Sequence, residues 1–101
     1  MSDFVNVAKI SDVPAGEGRS VDANGTPIAL FNLDGDFHAL DNTCIHRGGP
    51  LGDGICQGAT VTCPWHGWQF DVASGQCVNS PGESVDTYEV RVDGDIVQVK
   101  L

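Results

Sequence analysis

The run Pro27-Ile28-Ala29-Leu30-Phe31-Asn32-Leu33-Asp34-Gly35-Asp36-Phe37-His38-Ala39-Leu40 reads as two strands joined by a tight turn. Asp34-Gly35 is the kind of dipeptide that tolerates the positive φ angles a two-residue hairpin demands. Residues 27–33 and 36–40 are then its two arms. Working outward, Asn24-Gly25, Asp53-Gly54 and Asp93-Gly94 are further turn signals between short apolar or alternating runs. Residues 4–10 read as a first strand. Near the other end, Tyr88, Val90 and Val92 alternate with Glu89, Arg91 and Asp93, which predicts one core face and one wet face. Beyond Asp93-Gly94, Val97, Val99 and Leu101 share one side of a closing strand. Helical periodicity with caps is nowhere sustained, and Ser11-Asp12-Val13-Pro14 has room for a single turn at most. The fold class is all-β.

A chain of 101 residues makes one domain, 1–101, with a modest core. Its longest apolar run, Ile28-Ala29-Leu30-Phe31, is far too short for a membrane span or an export signal. Met1-Ser2-Asp3-Phe4 does not resemble an export signal either, so a cytoplasmic location is expected. In that reducing compartment four cysteines point to a metal before a disulfide framework. Fourteen acidic residues against five basic ones give a formal charge of -9, which argues against a nucleic-acid partner. The same charge suits a carrier steered onto a basic partner surface, or it serves solubility alone. Arg19, Arg47 and Arg91 are too scattered to define a basic site.

Chemistry concentrates between the hairpin and the closing strands. Cys44-Ile45-His46 and Cys63-Pro64-Trp65-His66 are two cysteine–histidine pairs in the same order, each in a loop rich in Gly and Pro. Two thiolates and two imidazoles complete the ligand set of one metal centre. Two readings use all four residues: a Cys₂His₂ structural zinc, or an iron–sulfur cluster with two histidine ligands. One intervening residue between Cys44 and His46 is tight for a zinc knuckle. It suits a loop that sends neighbouring side chains to the two irons of a binuclear cluster. Residues 42–82, which hold both pairs and most of the Gly and Pro, read as a metal-binding subdomain inserted into an antiparallel β framework. His38, in an apparent strand without a ligand-like neighbour, reads as an ordinary half-buried residue. Cys56 and Cys77 read as partly buried thiols, with a disulfide between them the alternative.

The residues around the pairs are more specific. Cys44-Ile45-His46-Arg47-Gly48-Gly49-Pro50-Leu51 and Cys63-Pro64-Trp65-His66-Gly67-Trp68-Gln69-Phe70 resemble the two ligand boxes of Rieske proteins. The resemblance implies an antiparallel β-sandwich carrying an inserted cluster-binding subdomain. It implies one [2Fe-2S] cluster per chain, with Cys44 and Cys63 on one iron and His46 and His66 on the other. Gly48, Gly49 and Gly67 would admit backbone amides close to the sulfides, or serve only as turns. Leu51, Trp65 and Trp68 would shield the cluster from water, or simply pack. Ser80-Pro81-Gly82 resembles the covering third loop of the family, with a surface turn as the plain alternative.

Such a ligand set has an electrostatic purpose. Two ferric ions, two sulfides and two thiolates sum to zero, because neutral imidazole adds no charge. A four-cysteine cluster carries two negative charges before it is reduced. Rieske centres accordingly lie at least ~250 mV above plant-type ferredoxins, roughly 6 kcal/mol for one electron. Within the family this sequence points low. High-potential members have cysteines where Gly49 and Trp65 stand here, and these form a disulfide across the cluster. The serine and tyrosine that hydrogen-bond sulfur in those members are Trp68 and Phe70 here. Fewer donors stabilise the added charge less, so a potential on the order of −150 mV is expected.

The resemblance implies a one-electron shuttle, not an enzyme in itself. It would carry electrons from a flavin-dependent NAD(P)H reductase to the terminal oxygenase of a ring-hydroxylating system. No nucleotide-binding glycine fingerprint or mononuclear iron triad is visible in the sequence. The chain also resembles the small subunit of assimilatory nitrite reductase, whose partner would be the large subunit. A zinc-stabilised interaction module is the reading from another class. A monomer is expected, with no membrane and no nucleic acid. Asp41, Asp53 and Asp71 are the candidate acidic docking face.

Overall fold

The two-residue hairpin predicted around Asp34-Gly35 forms, and its inner strand is the axis of the molecule. The structure, a computed structural model, describes residues 4–42, 50–63, 68–78 and 82–100. In chain order the strands are β1 (Phe4–Lys9), β2 (Gly18–Ala23), β3 (Thr26–Leu33), β4 (Asp36–Asp41), β5 (Ile55–Gln57), β6 (Thr60–Thr62), β7 (Gln69–Asp71), β8 (Thr87–Asp93) and β9 (Ile96–Lys100). Single 3₁₀ turns at Ile10–Asp12 and Leu51–Asp53 are the helical elements among the described residues. All strand pairs are antiparallel, in a sheet ordered β1-β9-β8-β4-β3-β2 and a smaller one ordered β5-β6-β7.

Turn chemistry explains the hairpins. Asn24 and Gly25 have φ 51° and 89°, and Asp34 and Gly35 have φ 55° and 98°. Positive φ at both central positions matches the right-handed twist of the flanking strands. Asn32 reinforces the second turn from the strand before it. Its side-chain oxygen accepts from the Gly35 N–H at 2.7 Å, and its amide donates to the Val13 carbonyl at 2.8 Å. The Asp53-Gly54 signal is a correction. Gly54 has φ −75° and ends the 3₁₀ turn with its N–H on the Leu51 carbonyl. The hairpin turn of that region is at Gly58, φ 59°, between β5 and β6.

Alternation along β3 divides the core. Ile28 and Leu30 point to one side, where they pack with Val13, Ala23, Ala39, Val97 and Val99. Ala29 and Phe31 point to the other, with Leu40, Leu51, Val61, Cys63, Phe70, Val72, Cys77 and Val85. Strand β3 is therefore the middle of three layers, between β1-β9-β8 and β5-β6-β7. Full burial of Phe31 and Phe70 stabilises the second interface by roughly 1.5–3 kcal/mol each. The expected core face of β8 is only half realised, since Val92 is 43% exposed. Strand β8 pairs with β4 only through Thr87 and Tyr88, so its far half runs past the cover. His38, opposite Phe31 on β4, is half-buried as expected.

Candidate metal centre

Three chain segments depart here, the first from β4 of the larger sheet and the other two from the small sheet, and each is tied where it departs and returns. Strand β4 ends at Asp41. Asn42 then accepts at its carbonyl from the Leu51 N–H at 2.8 Å, closing the first neck around 43–49. Strand β6 ends at Thr62, and the Cys63 N–H donates to the Trp68 carbonyl at 2.7 Å, closing the second neck around 64–67. That bond continues the β6–β7 register, in which Thr62 faces Gln69 and Val61 faces Phe70. The third neck closes through the Cys77 N–H on the Glu83 carbonyl at 2.8 Å, around 79–81.

The necks are also joined to one another. The Val78 N–H donates to the Gln69 carbonyl at 2.7 Å, linking the third to the second. Gly54 rests directly on the Thr62 carbonyl, with no space for a Cβ, and links the first to the second. Leu51, Cys63 and Cys77 belong to one buried cluster, with Trp68 packed against it. Three loops therefore start from one shared base.

Of the four residues expected to hold metal, Cys63 stands at this base, 2% exposed among Leu51, Val61 and Phe70. Cys44 and His46 fall in 43–49 and His66 in 64–67, outside the described residues. Arg47, Gly48, Gly49, Trp65, Gly67, Ser80 and Pro81 lie outside them too, whereas Gly82 is described, with φ 97°. The donor chemistry at Cys63 fits a cluster. A thiolate in apolar surroundings is costly unless a cation neutralises it, and iron does so. Elsewhere among the described residues, no group of three or more His, Cys, Asp or Glu side chains is placed to hold a metal.

Leu51 is fully buried and Trp68 partly so, in the packed cluster at the base of the loops, which either the shielding or the plain packing expected of them would give. Cys56 carries a free thiol, half-buried on β5, so it is not bridged to Cys77. Burial pushes its pKa above the ordinary 9.0. Asp41 adjoins the first neck and Asp53 the turn after it, where it accepts from the Ser20 hydroxyl at 3.1 Å. Asp71 stands at the far end of β7, bonded by the Ser74 hydroxyl at 2.6 Å. Glu83 adjoins the third neck and lines one depression with Asp71, Cys77 and Val78. Two residues that matter at the first neck, Asn42 and Ser20, were not singled out from sequence. An Asx residue directly after a strand was the available signal.

Comparison with known proteins agrees with this geometry. The chain is 32% identical over 100 residues to the ferredoxin component of naphthalene 1,2-dioxygenase/salicylate 5-hydroxylase systems from Ralstonia sp., covering 98% of this chain and 96% of that one. Among solved structures it resembles a chain from the complex of reduced oxygenase and oxidized ferredoxin in carbazole 1,9a-dioxygenase. That match has a TM-score of 0.86 and 32% identity, and covers 95% of this chain and 91% of the other. It also resembles a putative NADPH nitrite reductase small subunit, with a TM-score of 0.81 and 25% identity over 96% of this chain and 97% of that one. Residues 3–89 match the Rieske [2Fe-2S] domain profile. With that match over most of its length and three loops rooted on one cysteine-bearing base, the chain belongs to the Rieske [2Fe-2S] family and carries that family's cluster.

Proposed function

We propose that this chain is a one-electron carrier that takes electrons from a flavin-dependent NAD(P)H reductase and delivers them to a terminal oxygenase. The observation that carries the reading is the shared base of the three loops, with Cys63 buried in it. Cys44 and Cys63 hold one iron and His46 and His66 the other, within a cluster-binding unit at 42–82 of a single domain, 1–101. When bound, the cluster would supply one-electron chemistry between a formally neutral and a singly negative state. The chain's own part is to fix the ligands, exclude water with Leu51 and Trp68, and present the imidazole edges to a partner. Relatives that share nearly its whole length are named as ferredoxin components, which supports a carrier over an enzyme. The solved complex of a ferredoxin with an oxygenase supports the delivery step.

A monomer working in the cytoplasm fits this role. No helix among the described residues is long and apolar enough to cross a membrane. The potential belongs near the lower end of the Rieske range, on the order of −150 mV. A value above about +100 mV contradicts that part of the reading.

The test is low-temperature EPR of dithionite-reduced protein, with iron and acid-labile sulfide assays. A rhombic signal of low average g, with about two irons and two sulfides per chain, is the expected result. Colourless protein binding zinc alone removes the proposal. The nitrite reductase subunit is kept as a second reading because of the structural match to such a subunit. Tight co-purification with a sirohaem protein would favour it, and transfer to an oxygenase without lasting association would exclude it.

A further inference from the structure

The neck of the first loop depends on one uncharged side chain. Asn42 is half-buried and is bonded to three separate segments. Its backbone N–H donates to the Pro27 carbonyl at 3.2 Å, and its carbonyl accepts from Leu51 at 2.8 Å. Its side-chain oxygen Oδ1 accepts from the Gly52 N–H at 2.7 Å and from the Ser20 hydroxyl at 3.3 Å. Ser20 has one proton, and Asp53 competes for it at 3.1 Å. The Gly52 bond is therefore the stronger of the two side-chain contacts.

Gly52 itself cannot retreat. A Cβ built there would lie 2.5 Å from the Ser20 nitrogen and 2.7 Å from the Arg19 carbonyl oxygen, so the turn already rests on the backbone of β2. The seat beneath the loop is rigid on one side, and Asn42 Oδ1 fastens the other. Cys44 follows two residues later, and His46 two after that. The backbone at Asn42 therefore sets the point from which the segment bearing both begins.

We infer that Asn42 is a positioning residue for the cluster, its amide oxygen fixing the start of the 43–49 loop against Gly52 and thereby governing iron retention and potential. This inference rests on the ligand set proposed above. The amide suits the place better than a carboxylate. An aspartate could accept the same Gly52 bond, but its charge would oppose an electron arriving nearby.

Wild-type protein is first assayed for iron, sulfide and the rhombic EPR signal; failure there removes the site reading and this inference with it, whereas a wild-type protein that passes leaves the variants to decide the inference alone. N42A and N42D are then compared with wild type for iron loss to a chelator, unfolding rate in denaturant, EPR and potential. Expected for N42A is iron loss roughly tenfold faster, the order of one hydrogen bond, with altered g values and an unfolding rate that changes less. Expected for N42D is near wild-type retention with a lower potential. Wild-type retention and spectrum in N42A overturn the inference. So does iron loss that only tracks unfolding, or an N42D that loses iron as fast as N42A. Should N42A fail to fold, N42D decides: retained iron at a lowered potential supports the inference, and lost iron or an unchanged potential overturns it.

Discussion

Gly52 and Cys56 are separated by four positions and report opposite physics. At Gly52 the constraint is space. Replacing it by alanine drives a methyl into the backbone of Arg19 and Ser20, which cannot rotate away as a side chain would. Gly52→Ala should destabilise by about 1–3 kcal/mol, read as a lower denaturant midpoint. A midpoint equal to wild type would mean that β2 yields. At Cys56 the constraint is solvation. Burial favours the neutral thiol, so its folded pKa lies above 9.0. The linked stability is present below the unfolded pKa and fades as pH rises through the folded one. Alkylation of Cys56 should reach its half-maximal rate above pH 9.0, and a half-point at or below that value contradicts the burial argument. The role of Gly52 was not legible in the sequence, because a glycine in a loop carries no pattern of its own, whereas Cys56 is the partly buried thiol expected of a cysteine outside both boxes. The ligand boxes were legible, since residue type, order and spacing all repeat.

At the level of elements, legibility followed length. The β3–β4 and β8–β9 hairpins could be read because five or more residues, in an apolar run on β3 and in alternation on β8 and β9, lie on each side of a glycine turn. Strands β5, β6 and β7 have three residues each, too few to establish a period. Asp53-Gly54 misled for a related reason: the same dipeptide that starts a primed turn can also end a 3₁₀ turn, and sequence does not distinguish them. Strand β2 escaped notice because Gly18-Arg19-Ser20-Val21-Asp22 carries one large apolar residue, its pairing being supplied by β3. The Asn24-Gly25 turn tests this account. A Cβ at Gly25 meets nothing within 4 Å, so Gly25→Ala acts through φ 89° alone. The expected cost is about 1 kcal/mol, without change in the iron site's EPR signal. An altered signal would mean that β2 transmits strain to the first loop.

Among the described residues of the molecule the basic charge is unevenly spread, Arg47 of the first box lying outside them. Lys9, Arg91 and Lys100 all lie on the outer β1-β9-β8 layer, where Arg91 stacks 4.1 Å over the Phe4 ring and donates to Gln98 at 2.8 Å. Arg19 on β2 is matched by Glu17 at 3.0 Å. The loop necks carry Asp41, Asp53 and Glu83. With -9 overall, approach to a basic partner should be steered by the neck end. Second-order electron transfer to the oxygenase should slow as ionic strength rises from about 0.01 to 0.15 M, where the Debye length falls from about 30 to 8 Å. Rates independent of salt would remove the steering argument.

Strand β3 is buried on both faces, so the layer that carries Cys63 at its edge and the layer that bears Lys9, Arg91 and Lys100 share one wall. Neither can shift without displacing side chains that the other needs. A redox protein built this way has little slack in which its atoms can rearrange when charge comes or goes. Low reorganisation energy, and with it rapid exchange with a partner at small driving force, is the kinetic consequence of that shared wall.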